Sequence, residues 1–265
     1  MNKVGRESFT STSAVTITGW SSDATYPATI VSNAIDTVLS GNVTVHAKLF
    51  LGRNSVSGTP TARLVINGAT VDSVDILPSS AQFGNTDPLR GRPCYLQWNG
   101  TVSSGDDIRI DGIKTTSTTG YVNEGSTVAI EVGNTTVTRQ RMYKNTSAFS
   151  APNSASIVTG WTADAKYSGS SVSSNQLATT LNGTGTAEAY VVATSGNSPI
   201  EVNLVMNGTT IGTTTIPASD QTGYWITVPG VTFDGSDLLS ITARRTNSSF
   251  TRSLENDSCV VQAYI

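Results

Sequence analysis

Charge is scarce in this chain. Only 13% of its 265 residues are Asp, Glu, Lys or Arg, about half the share of an ordinary soluble domain. Sixteen Lys and Arg against 19 Asp and Glu leave a net charge of −3, which argues against the basic face of a nucleic-acid binder. Two cysteines and one histidine cannot build a zinc site of the usual kind without carboxylates. No apolar run is long enough to predict a transmembrane helix. Met1 to Phe9 hold no apolar stretch of the signal-peptide kind, and Ser258 to Ile265 carry no lipidation or sorting motif. No segment keeps a helical apolar period over a dozen residues. There is no P-loop, dinucleotide fingerprint, His-Glu-x-x-His, EF-hand loop or Gly-x-Ser-x-Gly element.

Hydroxyl groups take the place of charge: the chain has 34 Ser and 40 Thr, with 24 Gly. Its many β-branched residues and small net charge oppose intrinsic disorder. Such a surface suits work outside a cell, yet no export signal is visible. Virion proteins, made in a host cytoplasm and released by lysis, reconcile the two facts. Export by another route, or a chain already cleaved, fits as well.

An internal repeat organises the sequence. Thr18-Gly19-Trp20-Ser21-Ser22-Asp23-Ala24-Thr25-Tyr26 recurs as Thr159-Gly160-Trp161-Thr162-Ala163-Asp164-Ala165-Lys166-Tyr167. Ser32-Asn33 answers Ser174-Asn175, and Leu64-Val65-Ile66-Asn67-Gly68 answers Leu204-Val205-Met206-Asn207-Gly208. Gly105 to Ile108 answers Gly235 to Leu238, and Ser126 to Ile130 answers Ser258 to Gln262. The order never changes. The first copy holds extra residues between Leu77 and Cys94. The predicted organisation is an arm over 1–9, a first domain over 10–133 with an extra loop at 78–93, a linker over 134–149 and a second domain over 150–265.

Val43, Val45, Ala47, Leu49 and Leu51 alternate with polar or half-polar neighbours, the pattern of a half-buried strand. Asn67-Gly68 and Asn207-Gly208 lie between β-branched runs and predict two-residue hairpins, because a type I′ turn needs positive φ at both central residues. About eight such strands per copy predict an all-β chain of two tandem β-sandwich, jelly-roll-like domains. Asn33 to Leu39 admits one helical turn.

Few residues invite a chemical reading. Trp20 and Trp161 with Asp23 and Asp164 either stack and bind sugars or, as structure alone requires, plug the sandwich and close Asx-turns. Tyr95 and Trp225 are predicted on the outward face of equivalent strands, with Gln97 and Thr227. They are candidates for a subunit interface or for sugar stacking, unless a long loop buries them. Arg139 and Arg141 in the linker, with Arg90 and Arg92 in the extra loop, form a basic strip that is either solvated surface or a docking site for an acidic partner. His46, on an outward strand position, lacks the surroundings of a catalytic triad. No carboxylate pair stands out for glycoside hydrolysis. Cys94 and Cys259 fall in different copies at unlike positions and read as two buried free thiols.

The Thr-Gly-Trp-x-x-Asp-Ala-x-Tyr motif, the Leu-Val-x-Asn-Gly hairpin and the apolar last strand together resemble the β-rich domains of virion proteins of tailed bacteriophages infecting actinobacteria, described as minor tail or accessory proteins. The resemblance spans both copies. It implies a non-enzymatic structural protein of the virion, at the tail or decorating the capsid, that binds other virion proteins and forms a homo-oligomer, commonly a trimer. It brings no catalytic residue; no metal, cofactor, nucleic-acid or membrane partner is expected from the charge, apolar runs and motifs above. The alternative expectation is a carbohydrate-binding adhesin that meets host surface glycan through Tyr95 and Trp225.

Overall fold

Apolar residues at period two become strand throughout. The computed structural model describes residues 1–53, 58–76, 92–114, 118–145, 147–255 and 259–265, and every regular element among them is a strand. Arg90 and most of the extra loop 78–93 lie outside the described residues. The chain divides into two compact units, Met1–Thr136 and Val137–Ile265.

Unit 1 contains β1 (Asn2–Lys3), β2 (Glu7–Phe9), β3 (Val15–Thr16), β4 (Trp20–Ser21), β5 (Thr29–Val31), β6 (Ala34–Asp36), β7 (Gly41–Arg53), β8 (Thr61–Ile66), β9 (Ala69–Asp75), β10 (Arg92–Val102), β11 (Asp107–Ile113), β12 (Gly120–Val122) and β13 (Thr127–Val132). One sheet is ordered β2-β12-β7-β13-β1-β4, with β10 on the other side of β7. The second is ordered β5-β6-β11-β8-β9, with β3 also on β11. The inward residues of β7, from Val43 to Leu51, are each 1% exposed or less and meet Leu64 of β8 and Ile108 of β11 in one core. Burying each Val or Leu contributes about 1.5–3 kcal/mol. This is a β-sandwich.

Unit 2 contains β14 (Arg139–Lys144), β15 (Phe149–Ser150), β16 (Ser156–Ile157), β17 (Trp161–Ala163), β18 (Ser171–Ser173), β19 (Gln176–Ala178), β20 (Asn182–Val192), β21 (Ile200–Met206), β22 (Thr209–Ile216), β23 (Gly223–Asp234), β24 (Leu238–Arg245), β25 (Ser253–Leu254) and β26 (Val260–Tyr264). Its sheets are ordered β17-β14-β26-β20-β23 and β18-β19-β24-β21-β22, with β16 also on β24 and a separate β15-β25 ribbon. Ala187, Ala189 and Val191 of β20 are fully buried and pack with Leu204 and Ile241 of the facing sheet. Strand for strand, the order matches that of unit 1.

Two predicted segments take a different form. Residues 1–9 are not a leading arm: β1 pairs with β13 and β4, and β2 pairs with β12. Residues 134–149 are not a linker throughout, because β14 lies between β26 and β17. The two segments do the same job. Asn2 faces Thr127 and Ser21, as Tyr143 faces Val260 and Thr162. Lys3 faces Trp20, as Lys144 faces Trp161.

The turns account for the early blocks, while the strand registers move the last two by one residue, so that Ile108 matches Leu239 and Ala129 matches Gln262. Asn67 and Gly68 have φ of 50° and 79°, and Asn207 and Gly208 have 50° and 82°, as the type I′ hairpin requires. The Asn67 amide donates to Asp106 at 2.7 Å, and that of Asn207 donates to Asp237 at 2.6 Å. The helical turn expected at Asn33 to Leu39 is instead a second hairpin. Ser32 and Asn33 have φ of 50° and 67° and join β5 to β6, as Ser174 and Asn175 join β18 to β19. Asparagine tolerates this left-handed backbone better than most side chains.

Candidate functional site

The Gly-Trp motif turns out to be internal scaffolding. Trp20 and Trp161 are buried, and their indole N–H groups donate to the carbonyls of Ile17 at 2.8 Å and Val158 at 2.7 Å. The Gly19 and Gly160 amides donate to the side chains of Asn33 at 3.1 Å and Asn175 at 3.0 Å, which ties the motif to the Ser-Asn turn. Asp23 accepts from the amides of Thr25 and Tyr26, and Asp164 from that of Lys166, so both close Asx-turns.

Tyr95 of β10 and Trp225 of β23 face away from their cores, because Leu96 and Ile226 between their neighbours are buried. Each is half-buried. Trp225 packs on Tyr190 with ring centroids 4.9 Å apart and planes tilted by 47°. The same face of unit 2 carries a polar row. Glu188 accepts from the Gln262 amide at 2.6 Å, from the Tyr264 hydroxyl at 3.1 Å and from Thr227 at 3.3 Å. Burial, then Glu188, pushes the Tyr264 phenol above its ordinary range.

Of the four basic candidates, Arg90 lies outside the described residues. Arg92 and Arg141 are both buried. Arg141 forms an ion pair with Asp164 at 3.2 Å, its guanidinium lies 5.6 Å from the Tyr167 ring centre, and its backbone amide donates to Ser170. The turn that follows the Gly-Trp motif closes over it, since a buried guanidinium must be paired. Arg139 is half-buried and stacks over Tyr264 at 4.3 Å. His46 lies 3.6 Å from Glu131. Cys94 and Cys259 are buried free thiols.

Unit 1 holds a feature that no motif announced. A groove of about 720 Å³ opens beside the outer edge of β13, between Met1, Asp23, Tyr26, Val38 and Glu131. Tyr26 is 79% exposed and Val38 is 77% exposed. Ala129, Ile130 and Glu131 pair with β7 on one side. On the other side β1 reaches only as far as the Met1–Val128 pair, whose backbone groups exchange bonds at 2.6 and 2.9 Å. Beyond that pair, among the described residues, β13 has no strand partner. Burial lowers the Met1 ammonium below its ordinary value, with Asp23 opposing. A hydrogen bond from Asn2, then the Tyr26 and Thr25 amides, hold the Asp23 carboxyl below the usual range. The groove's side chains Asp23, Asp36 and Glu131 are acidic, and none of its side chains is basic.

The signal for this groove lay in matching Met1-x-Lys3 with Met142-x-Lys144. That match places Arg139-Gln140-Arg141 alongside β26, and the unit 1 groove lies beside the matching residues of β13, Ala129 to Glu131.

No protein-family model and no curated protein matches this chain. Among solved structures it is similar to the insecticidal delta-endotoxin Cry8Ea1 from Bacillus thuringiensis, with a TM-score of 0.31 and 8% identity over 86% of this chain and 53% of that one. The chain thus spans about half the endotoxin's length. It is also similar to the N-terminal CBM22-1-CBM22-2 tandem domain of Xyn10C from Paenibacillus barcinonensis, with a TM-score of 0.21 and 11% identity over 89% of this chain and 80% of that one. PNGF-II is similar with a TM-score of 0.24 and 11% identity over 87% of this chain and 58% of that one.

Proposed function

We propose that this protein is a non-enzymatic structural component of a tailed-phage virion, a minor tail or accessory protein that binds other virion proteins. The observation that carries this reading is the uncovered edge of β13 beside the unit 1 groove. An open strand edge with exposed apolar side chains beside it favours pairing with another chain, and proteins usually cover such edges. Assembly into a particle would cover this one. The resemblance of the Gly-Trp and Asn-Gly blocks to tail and accessory proteins points the same way. Several carboxylates act as turn acceptors: Asp23, Asp106 and Asp234 bind nearby backbone amides, a role that favours scaffolding over acid–base chemistry. Homo-oligomerisation, with a trimer expected from the resemblance, belongs to the same proposal.

Immunogold electron microscopy of lysate particles, with antibody to this protein, tests it. Gold at the tail or at regular sites on the head is expected. Particles without gold would overturn the virion reading. Glycan-array binding that disappears when Tyr95→Ala and Trp225→Ala are combined would replace it with the carbohydrate-binding adhesin.

A further inference from the structure

Unit 2 shows what lies beside the strand that matches β13. In unit 2 the strand beside β26 runs past Met142 to Arg141, Gln140 and Arg139, which face Gln262, Ala263 and Tyr264. The matching positions of β13 are Ala129, Ile130 and Glu131: Ala129 and Gln262 face His46 and Glu188 of the next strand, and the other two follow in register. Gln262 and Ala263 are fully buried under that strand, whereas Ala129 and Glu131 are exposed. The side chains that receive Arg141 also have equivalents around the groove, since Asp164 and Tyr167 correspond to Asp23 and Tyr26. Unit 1 therefore presents the receiving half of a contact that unit 2 completes internally.

We propose that the groove of unit 1 binds an extended, arginine-bearing strand of a partner protein, added antiparallel to β13. This names the partner chemistry of the assembly surface above and rests on that reading. Backbone pairing supplies the affinity, as in other cases of strand addition to a sheet edge. Alternation dictates the rest. Residues two apart on the incoming strand share its outer face, as Arg139 and Arg141 do. In unit 1 the first of these meets Glu131 where unit 2 has Tyr264, and the second meets Asp23 and Tyr26. Both positions favour arginine, which binds carboxylates through paired N–H groups and stacks on aromatic faces. The residue between them turns inward. In unit 2 it is Gln140, bonded to Thr180 at 2.6 and 2.8 Å. In unit 1 the wall at that level includes Val38 and Ile130, so an apolar residue fits best. The preferred core is Arg-apolar-Arg, because the three carboxylates of the lining outnumber the Met1 ammonium and disfavour an acidic strand.

The test uses the full chain and fluorescein-labelled peptides read by fluorescence anisotropy. The first probe is Val-Thr-Arg-Gln-Arg, the chain's own residues 137–141; the second replaces its Gln with Val. Saturable binding is expected, tighter for the second probe. Glu131→Gln, an exposed change that leaves the sheet intact, should weaken it several-fold, and Asp23→Asn should do the same. N-methylation of the fourth peptide residue, the Gln or its Val replacement, should abolish it, because that amide is the one placed to donate to the Ile130 carbonyl. No saturation up to about 1 mM, the weak limit of specific recognition, would overturn the proposal. Equal binding of the N-methylated peptide, or of one with both Arg replaced by Glu, would overturn it too. Displacement by a soluble cell-wall oligosaccharide, insensitive to N-methylation, would assign the groove to a sugar instead. Gold-labelled particles with a peptide that fails to bind would remove this inference and leave the virion reading standing. A bound peptide with unlabelled particles would do the reverse.

Discussion

At one buried spot the two units reach the same fold with opposite partners. In unit 1, Phe9 of β2 lies across from Gly120 of β12, and a β-carbon on Gly120 would come within 2.1 Å of the Phe9 ring. In unit 2 the equivalent pair is Ala151 and Arg252, joined by the Ala151 amide donating to the Arg252 carbonyl. The large side chain has moved to the other strand. Phe9 fills its space with apolar surface. Arg252, equally buried, gives its guanidinium to the carbonyls of Thr194 at 2.8 Å and Ser198 at 3.0 Å and to those of Pro217 and Asp220 in the connection before β23. Backbone pairing is the constant, and the volume between strands can be supplied from either side. What both units keep unchanged are the turn residues and the Trp, which determine where the chain reverses.

This comparison can be broken or sharpened by mutation. Phe9→Ala should destabilise unit 1 by about 3–5 kcal/mol, seen as an earlier thermal transition; a change below about 1 kcal/mol would mean that the spot is not a core position. Arg252→Ala should destabilise unit 2 by about 3 kcal/mol, because several buried carbonyls lose their donor. The double change Ala151→Phe with Arg252→Gly transplants the unit 1 solution. It should recover part of that loss if the two spots are equivalent, and none if Arg252 acts only by holding the connection before β23. Asn33→Ala and Asn175→Ala should each cost about 1 kcal/mol. The two losses should be nearly equal, because each removes the acceptor for the Gly-Trp amide and a residue suited to positive φ. Unequal losses would show that the two turns carry different loads.

The smallest effect concerns acid. The Tyr224 hydroxyl, then the amide and hydroxyl of Thr222, hold the Asp220 carboxyl below the usual range. A depressed carboxyl adds stability above its ordinary value near pH 4 and loses it as pH falls through the lowered one. The connection before β23 should therefore loosen in acid before unit 2 melts, with a change in Trp225 fluorescence that Asp220→Asn abolishes. An unchanged signal down to about pH 2 would dismiss the bond as a stabiliser.

Much of this architecture was readable from residues alone. The alternation from Val43 to Leu51 and the Asn-Gly turns state their strands and hairpins directly, because period two and positive φ leave local traces. The Ser-Asn hairpins were harder: without glycine, only the tertiary bond that the Gly19 amide donates to the Asn33 side chain explains them. β1 was missed because a two-residue strand has no period to detect, and β14, though six residues long, because Met142 is the one residue it adds to the apolar core. The fate of Arg141 was hidden for a related reason. A basic cluster in sequence looks solvated until the Asp164 turn folds back over it. The groove was hardest of all, since an uncovered edge is a property of pairing and leaves no composition behind.

The Asn-Gly turns also give the molecule a clock. Asparagine is among the thermolabile side chains, and a following glycine leaves its amide open to attack by the next backbone nitrogen. At Asn67 the amide group lost by hydrolysis is the one that donates to Asp106. An aged molecule would place two carboxylates where a fresh one has a hydrogen bond. The residue that fixes the β8–β9 register is thereby also the one that ages first in that hairpin.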